Sequence, residues 1–491
     1  MKIQLINAPT DPGIGGGGNT GCFPHLGILS IATALIKKFP DFEIECIDGS
    51  VTAIDEIIAE VDADIVGISA LTMTYESTLA IAREAKKKGA FVVVGNDHPS
   101  RLANMIIQNR PEIDVVVRGD YGEVPMTQLV KARMLGQDFD KISCLTFRDK
   151  GEVKQTPAQE WSLNDLPIPD RSFIKDFEPY IKNYMATYAR WHTGEKIIPM
   201  SINLARGCGY GERSRCLFCD ILDLKRRAVS SERAWQEIRI LVEKFGVNFL
   251  YEVCDSLSSF YQPIKGEDQG FLSRFVDSRP DDLFPQWLVY ARADEIVRDY
   301  NLIELFSKLG VRRVNIGLES GDNQMLISIR KGYKVETNIR AIEILREANM
   351  EAHCSFVLGA IGESEQSLEN TVSLCQQILE IGHIVVCDPS PLLPLPGAPA
   401  WKVMMNPTVA KKQCNRFGID YSLSLAETFR KKFGGTDLLD TGELSREWIK
   451  AFTLVTPEII KNFCEEIRML SWKHEVFSGQ SVGIRGIGMR S

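Results

Sequence analysis

In the stretch Arg206-Gly207-Cys208-Gly209-Tyr210-Gly211-Glu212-Arg213-Ser214-Arg215-Cys216-Leu217-Phe218-Cys219, three cysteines stand on one short segment. Structural zinc sites and ordinary iron–sulfur clusters take four protein ligands, so three thiolates leave one metal position open. The close pair Cys216 and Cys219 suits two corners of a single cluster, and the longer gap lets the chain loop back to Cys208. The stretch therefore predicts a cluster with an iron that can bind a further ligand.

Two plainer explanations of the cysteines compete with an iron–sulfur cluster. A zinc ion held by these three thiolates and a distant histidine is one alternative. The remaining cysteines stand alone and are interpreted as small buried hydrophobic residues; they are Cys22, Cys46, Cys144, Cys254, Cys354, Cys375, Cys387, Cys414 and Cys464. A disulfide framework is not expected in a long chain without a secretory pattern, whose thiols would be reduced in the cytosol.

Length and charge place further bounds on the function. A chain of 491 residues predicts about two or three domains. Its net charge of −8 and its lack of a long basic block argue against a nucleic-acid partner. No apolar run is long enough for a membrane helix. The chain opens directly into an apolar strand without a signal-peptide pattern, which predicts the cytoplasm.

The first third of the chain alternates short apolar strands with amphipathic helices. Strands are expected at 3–7, 43–47, 65–69, 91–94 and 115–118. This alternation is typical of βαβ units and a parallel sheet, whose ligand site lies at the carboxyl ends of the strands. On these features alone, the region would be a doubly wound binding domain for a nucleotide, a flavin or a cobalamin.

The alternation resumes between 197 and 400 with longer helices. Strands are expected at 201–205, 249–253, 286–290, 312–317, 351–358 and 383–387. Six parallel strands with outer helices fit a partial (β/α)6 barrel, in which chemistry belongs at the carboxyl ends of the strands. The cysteine segment follows the first of these strands, and unusual polar or glycine residues follow the others.

These barrel features resemble the radical S-adenosylmethionine (SAM) enzymes, although the first cysteine gap is wider than the usual C-x3-C-x2-C. The supporting motifs are Ala291-Arg292-Ala293-Asp294, Val314-Asn315-Ile316-Gly317-Leu318-Glu319-Ser320-Gly321, Ile329-Arg330-Lys331-Gly332, Ser355-Phe356-Val357-Leu358-Gly359-Ala360-Ile361-Gly362-Glu363 and Pro394-Leu395-Pro396-Gly397. The resemblance implies a [4Fe-4S] cluster on Cys208, Cys216 and Cys219. It also implies SAM contacts from Phe218, Glu252, Asp255, Arg292, Glu319, Ser320, Gly359 and Gly362. The usual Gly-Gly-Glu is replaced by Tyr251-Glu252-Val253-Cys254-Asp255, which leaves Glu252 and Asp255 as alternatives for the amino group of SAM.

The N-terminal domain resembles the cobalamin-binding domains fused to radical SAM enzymes. The resemblance lies in Phe23-Pro24-His25-Leu26-Gly27-Ile28-Leu29, Gly67-Ile68-Ser69-Ala70-Leu71-Thr72, Gly95-Asn96-Asp97-His98-Pro99-Ser100 and Val117-Arg118-Gly119-Asp120-Tyr121-Gly122-Glu123. It implies cobalamin contacts from Ser69, Leu71, Thr72, Gly95, His98 and Gly119. The Asp-x-His-x-x-Gly motif that supplies a lower cobalt ligand is absent after the first strand. His98 is therefore expected to hydrogen-bond the corrin side chains or cap a turn, with cobalt ligation as the alternative.

The predicted organisation is α/β throughout. A Rossmann-like cobalamin-binding domain is expected at 1–135, a proline-bearing linker at 136–195 and the radical SAM partial barrel at 196–400. A mostly helical region at 401–491 would either cover the mouth of the barrel or pack on its outside.

The resemblance implies a methyltransferase. A 5′-deoxyadenosyl radical from SAM would activate an unactivated substrate position, and methylcobalamin would supply the methyl group. The expected partners are a small-molecule substrate and an electron donor such as flavodoxin or ferredoxin. The alternatives are a rearrangement or cyclisation with the same cofactors, a cobalamin or cluster sensor, and a zinc-binding α/β protein.

Overall fold

A computed structural model describes residues 1–11, 21–188 and 195–477 of the chain. The described chain divides into two compact units. The first unit takes Met1–Thr187 and, from the far end of the sequence, Gly435–Leu439. The second takes Tyr188–Gly434 and the described chain from Asp440 onwards.

The first unit is built on a sheet of seven strands among its described residues, in the order β2-β1-β3-β4-β5-β6-β7. The strands are β1 (Lys2–Asn7), β2 (Glu43–Asp48), β3 (Ile65–Ser69), β4 (Phe91–Gly95), β5 (Val115–Val117), β6 (Leu145–Asp149) and β7 (Glu152–Gln155). The helices are α1 (Leu26–Lys38), α2 (Ile54–Glu60), α3 (Tyr75–Lys87), α4 (Asp97–Asn109), α5 (Glu123–Met134) and α6 (Glu178–Tyr188). Strands β1 to β5 are parallel, as the alternation predicts.

Both faces of this sheet are buried, which explains the nearly continuous apolar runs of its central strands. One core joins α2, α3 and α4 to the sheet through residues such as Ile57, Leu79 and Ile106. The other joins α1 and α5 through Leu29 and Leu129. The doubly wound architecture predicted from the sequence is therefore confirmed.

The segment predicted as a linker begins with two further strands. β6 pairs antiparallel with β5, and β7 pairs antiparallel with β6. The loop between them consists of Lys150 and Gly151, both with positive φ, which is the geometry of a tight hairpin turn. A two-residue turn ending in glycine between two short alternating runs was the sequence signal for this hairpin.

The second unit contains a sheet of six parallel strands in the described residues, in the order β15-β14-β13-β12-β11-β8. The strands of this unit are β8 (Pro199–Ile202), β9 (Ala205–Arg206), β10 (Arg227–Ala228), β11 (Phe249–Glu252), β12 (Gln286–Ala291), β13 (Val311–Glu319), β14 (Glu351–Leu358) and β15 (Ile384–Pro391). β9 and β10 form a separate small ladder beside the cysteine segment. The open parallel sheet fits the partial barrel expected from the sequence.

The helices of the second unit follow these strands and then form the C-terminal region. They are α7 (Ser231–Phe245), α8 (Phe271–Asp277), α9 (Ala293–Arg298), α10 (Asn301–Leu309), α11 (Asn323–Ser328), α12 (Val335–Glu347), α13 (Glu365–Ile381), α14 (Pro399–Met405), α15 (Pro407–Arg416), α16 (Leu423–Phe433), α17 (Thr441–Phe452) and α18 (Pro457–Phe477). The helical character predicted for 401–491 is observed up to Phe477, and 478–491 lie outside the described residues. None of the described helices is both long and apolar enough to cross a membrane.

Candidate functional site

The three cysteines lie on the loop between β9 and β10. Gly207 begins this loop with φ +93, and a Cβ there would lie 2.3 Å from the carbonyl oxygen of Lys225, so only glycine fits. The Gly207 amide donates to Oδ2 of Asp255 at 3.0 Å, and the Leu217 amide donates to the carbonyl of Ile329 at 2.9 Å. The loop is thus held at its start by the segment after β11 and at its middle by the residue that follows α11.

Cys216 is buried and Cys208 and Cys219 are half-buried, and guanidinium groups lie near them. Burial raises the pKa of the Cys208 and Cys219 thiols, and the nearby guanidinium groups of Arg292 and Arg215 oppose that shift. Arg292 also interacts electrostatically with Cys216. Within the described residues, no group of three or more His, Cys, Asp or Glu side chains is placed to hold a metal ion. The donor set of three thiols fits an iron–sulfur cluster chemically, but ligation requires the side chains of this loop to close around it.

Arg292, at the end of β12, is a buried cation held by aromatic and carbonyl groups. Its guanidinium carbon lies 3.9 Å from the ring centroid of Tyr210 and 5.6 Å from that of Tyr333. Its Nε donates to Asp294 at 2.9 Å, and its Nη2 donates to the carbonyl of Lys331 at 2.8 Å. The cysteine loop, through Tyr210, and the segment after β13 are therefore joined by this one side chain.

Glu319 ends β13 with φ +64, a left-handed conformation that is strained for a residue with a side chain. Its Oε1 accepts from Nζ of Lys331 at 2.7 Å, and both side chains are almost fully buried. A Cβ on Gly317 would lie 2.1 Å from Oε1 of Glu319, so glycine makes room for this ion pair. Although burial alone lowers the pKa of Lys331, Glu319 raises it above the usual value. Lys331 was quoted in a motif but not proposed as a site residue from the sequence.

The two alternatives for the amino group of SAM have different surroundings. Glu252 is fully buried, and its two oxygens accept from the Leu204 amide at 3.0 and 3.1 Å. Burial raises the pKa of Glu252 to about 8, despite these hydrogen bonds. Asp255 is exposed and holds the Gly207 amide. Glu252 therefore joins the end of β11 to the segment after β8 by hydrogen bonds. Asp255 has an exposed carboxylate beside the cysteine loop.

The glycine-rich turn after β14 is occupied by the C-terminal helices. The carbonyl of Gly359 accepts from Nε1 of Trp448 at 2.8 Å, and the Gly362 amide donates to the carbonyl of Phe452 at 2.9 Å. Glu363 is fully buried and accepts from the Gly359 amide at 3.1 Å. Helix α17 thus packs directly on this turn, which the sequence left undecided.

The two other residues expected to contact SAM lie on different segments and differ in exposure. Ser320 is buried, and its hydroxyl lies 3.2 Å from Oγ1 of Thr371. Phe218 precedes Cys219 on the cysteine loop and is half-buried.

In the first unit, the predicted cobalamin residues gather at the carboxyl ends of the adjacent strands β3, β4 and β5. Ser69 ends β3 and accepts from Nδ2 of Asn96 at 3.0 Å. Thr72 follows β3, and its Oγ1 lies 3.1 Å from Nδ1 of His98. The other ring nitrogen, Nε2, lies 2.9 Å from the carbonyl oxygen of Asp437. Both nitrogens of His98 are therefore engaged within the protein and are not free to ligate cobalt.

The segment after β5 leaves open space beside Gly119. Gly119 has φ +86, and a Cβ added there would meet no described atom within 4 Å. Its amide donates to the hydroxyl of Ser100 at 3.0 Å. Leu71 exposes 37% of its surface at the end of β3, and Gly95 ends β4. An apolar side chain, small residues and neutral hydroxyl groups at one sheet edge suit a large, largely neutral ligand.

Two family models match separate parts of the chain. Residues 19–130 match the B12 binding domain, and residues 202–375 match the radical SAM superfamily. An uncharacterised methyltransferase of Pyrococcus horikoshii is 24% identical over 406 residues, which is 80% of this chain and 81% of that protein. An anaerobic magnesium-protoporphyrin IX monomethyl ester cyclase of Rubrivivax gelatinosus is 28% identical over 340 residues. That match covers 67% of this chain and 57% of the cyclase.

A solved structure shares the fold across nearly all of the chain. The cobalamin-dependent SAM radical enzyme OxsB, with aqua-cobalamin and SAM bound, superimposes with a TM-score of 0.66 at 17% identity. The match covers 97% of this chain and 67% of OxsB. At this identity, the likeness concerns the fold.

Proposed function

Because this chain joins a B12-binding domain to a radical SAM domain, we propose that it is a cobalamin-dependent radical SAM methyltransferase. The observation that carries the proposal is the position of the three-cysteine loop at the carboxyl end of the second unit's parallel sheet, beside Arg292. The methyltransferase relative from Pyrococcus supports the reaction class. When bound, the cluster with SAM supplies a 5′-deoxyadenosyl radical, and cobalamin supplies a methyl group.

Cys208, Cys216 and Cys219 would hold the cluster. Binding requires thiolates, so the nearby Arg292 favours it by lowering the cost of ionising buried thiols. Arg292 and Lys331 also counter the negative charge that three thiolates bring into a buried loop. Both cations would stabilise the thiolates electrostatically without bonding to the cluster.

SAM would lie across the strand ends beside the cysteine loop. Asp255 is the better candidate for the amino group, because its carboxylate is exposed whereas that of Glu252 is consumed by backbone amides. Glu319, Ser320 and the Gly359–Gly362 turn line the following strand ends. Their role would be to orient the bound molecule and exclude water.

Cobalamin would lie on the edge formed by β3, β4 and β5 of the first unit. Ser69, Thr72, Gly95 and Gly119 would face the corrin, and Leu71 would offer an apolar contact. His98 would keep its hydrogen bonds to Thr72 and Asp437 and would not ligate cobalt.

A second candidate reaction is a cyclisation or rearrangement that uses the same cofactors without net methyl transfer. The cyclase relative from Rubrivivax favours it. The two reactions differ in their products, since methylation converts SAM to S-adenosylhomocysteine as well as to 5′-deoxyadenosine. The substrate would be a small molecule and the electron source an external flavodoxin or ferredoxin.

The test is mass spectrometry of small molecules released by anaerobic, cluster-reconstituted protein with SAM, hydroxocobalamin and a low-potential reductant. Cobalamin retention together with 5′-deoxyadenosine and S-adenosylhomocysteine supports the methyltransferase. Deoxyadenosine without S-adenosylhomocysteine in the presence of substrate candidates favours the second reaction. Absence of both SAM products would overturn both proposals.

A further inference from the structure

A short segment from the far end of the sequence, Gly435–Leu439, belongs to the first unit. We call it the C-terminal strap. Its central residue, Asp437, is 1% exposed, although an isolated buried carboxylate is costly. The charge is compensated by three donors of the first unit, which are Nε of Arg110 at 2.6 Å, the hydroxyl of Tyr75 at 2.7 Å and Nδ2 of Asn109 at 3.4 Å.

The same residue also reaches the other end of helix α4. The carbonyl oxygen of Asp437 lies 2.9 Å from Nε2 of His98, in the first turn of α4, while Asn109 and Arg110 lie at the end of that helix. The imidazole of His98 packs on the ring of Tyr75 with centroids 4.2 Å apart. The strap therefore contacts His98 in two ways. The main-chain carbonyl of Asp437 accepts a hydrogen bond from His98, and its carboxylate accepts one from Tyr75, whose ring packs on His98.

This contact decides which nitrogen of His98 carries the proton. A carbonyl oxygen only accepts hydrogen bonds, so Nε2 must donate to Asp437. Burial lowers the pKa of His98 to about 4, so the ring is neutral and its Nδ1 is an acceptor. Oγ1 of Thr72, at 3.1 Å from Nδ1, must then be the donor. Because that proton is committed to His98, the half-buried hydroxyl of Thr72 offers only lone pairs to a ligand.

We propose that the C-terminal strap is part of the cobalamin site, in which Asp437 is a positioning residue that acts through His98 to present Thr72 as a hydrogen-bond acceptor. The matching ligand group is an amide N–H, and the corrin ring of cobalamin carries primary amides around its rim. The proposal rests on the proposed function, in that it takes cobalamin as the ligand of this edge. Residues 435–439, from the far end of the sequence, would then help to bind cobalamin on the first unit.

The test is a spectrophotometric titration of the full-length chain with hydroxocobalamin. The variants are Asp437→Ala, His98→Phe, which keeps a ring against Tyr75, and the double variant. Each single change should raise the dissociation constant roughly tenfold. Asp437→Ala removes the carboxylate that anchors the strap and so releases its main-chain carbonyl from His98, whereas His98→Phe removes the acceptor that orients the Thr72 hydroxyl. The double variant should bind no more weakly than the weaker single variant, because both changes break the same chain of hydrogen bonds.

A matched control comes from the adjacent Asp440, whose side chain caps helix α17 by accepting from the Glu443 amide at 2.8 Å. Asp440→Ala loses a structural hydrogen bond from the same part of the chain and should bind cobalamin as the unchanged protein does. If Asp437→Ala fails to fold, Asp437→Asn takes its place, since its amide oxygen still accepts from Tyr75 while the charge that anchors the strap to Arg110 is lost. Nitrogen-15 NMR of the histidines should show Nε2 of His98 protonated in the unchanged protein, and this preference should be lost in the Asp437 variant.

Two outcomes would overturn the inference. One is unchanged cobalamin affinity in the folded Asp437 variant, and the other is a double variant whose loss equals the product of the two single losses. Failure of the unchanged protein to bind cobalamin is a separate result, because it removes the proposed function together with the inference.

Discussion

The strand-end sites of the two units are built from opposite kinds of side chain. In the first unit, the neutral groups of Thr72 and His98 are linked by a hydrogen bond, and Ser69 accepts a separate one from Asn96. In the second unit, the corresponding edge carries the buried cations Arg292 and Lys331, with Glu319 paired to the latter. The same βα alternation therefore supports two different kinds of binding edge.

The difference follows the chemistry of the proposed ligands. A corrin rim of amides is bound by neutral donors and acceptors whose direction matters, so the orientation of a hydroxyl proton is worth controlling. A thiolate-held cluster and the charged ends of SAM instead require compensating charge in a buried setting. The contrast can be tested by changing one group at a time on each edge.

The first prediction concerns the cysteine loop. Cys216→Ala should abolish retention of a [4Fe-4S] cluster and lower SAM cleavage by roughly 10³-fold or more, because a cluster site fails as a unit. Iron and sulfide analysis and the yield of 5′-deoxyadenosine measure the effect. Cys414→Ala, at a buried cysteine of α15, is the control and should retain its iron. Equal iron content in the two variants would contradict the assignment of the loop.

The second prediction concerns the charged edge itself. Lys331→Met leaves Glu319 buried without its partner and should lower the free energy of unfolding by about 3–5 kcal/mol. Urea unfolding of the second unit measures it. Arg340→Met, which breaks an exposed pair with Glu343, should leave stability nearly unchanged. A similar small effect from both variants would mean that the buried charges are not essential to this edge.

The third prediction uses the raised pKa of Glu252, about 8 when folded against 4.5 in a model peptide. The folded state holds this proton more tightly, so its stabilising contribution is complete below pH 4.5 and is lost as the pH rises towards 8. The slope is about 1.4 kcal/mol per pH unit within that window. Glu252→Gln should flatten this part of the thermal stability profile, whereas Glu243→Gln on the exposed face of α7 should not. Parallel profiles for the two variants would be evidence against a neutral Glu252.

The fourth prediction applies the same test to the neutral edge. His98 has a pKa of about 4 when folded and 6.5 in a model peptide, so the unfolded state takes up its proton first on acidification. Stability should therefore fall as the pH drops from 6.5 towards 4, over a narrower window than for Glu252. His98→Phe should remove this loss in thermal melts without cobalamin, while His383→Asn at an exposed position should keep it. Persistence of the acid loss in His98→Phe would assign it to another group.

Much of the architecture was predictable because it depends on short-range patterns. The alternation of apolar strands and helices located β1 to β5 and the six strands of the second sheet to within a few residues. The hairpin β6–β7 was missed because its strands are short and only partly apolar, although the turn at Lys150 and Gly151 was a usable signal. The candidate site residues remain predictions, and their local motifs correctly indicated strand ends.

The side-chain contacts between different strand ends could not be predicted from the sequence. Lys331 stands twelve positions after Glu319, and their contact depends on the left-handed turn at Glu319 and the space left by Gly317. The packing of Trp448 on the Gly359 turn joins segments 89 positions apart. Neither follows from the spacing of residues along one helix or strand.

The two α/β units, the order of their motifs and the three-cysteine loop follow from local patterns of residues, because periodicity and spacing act between near neighbours in the chain. The position of Asp437 beside His98, 339 positions earlier in the sequence, depends on how the whole chain packs. That contact exists because a buried carboxylate needs Arg110 and Tyr75, and no local pattern records which distant segment will meet that need. The physical difference lies in the sequence separation of the interacting residues. Secondary structure depends on residues that are close in sequence, whereas a site also depends on contacts between distant segments of the folded chain.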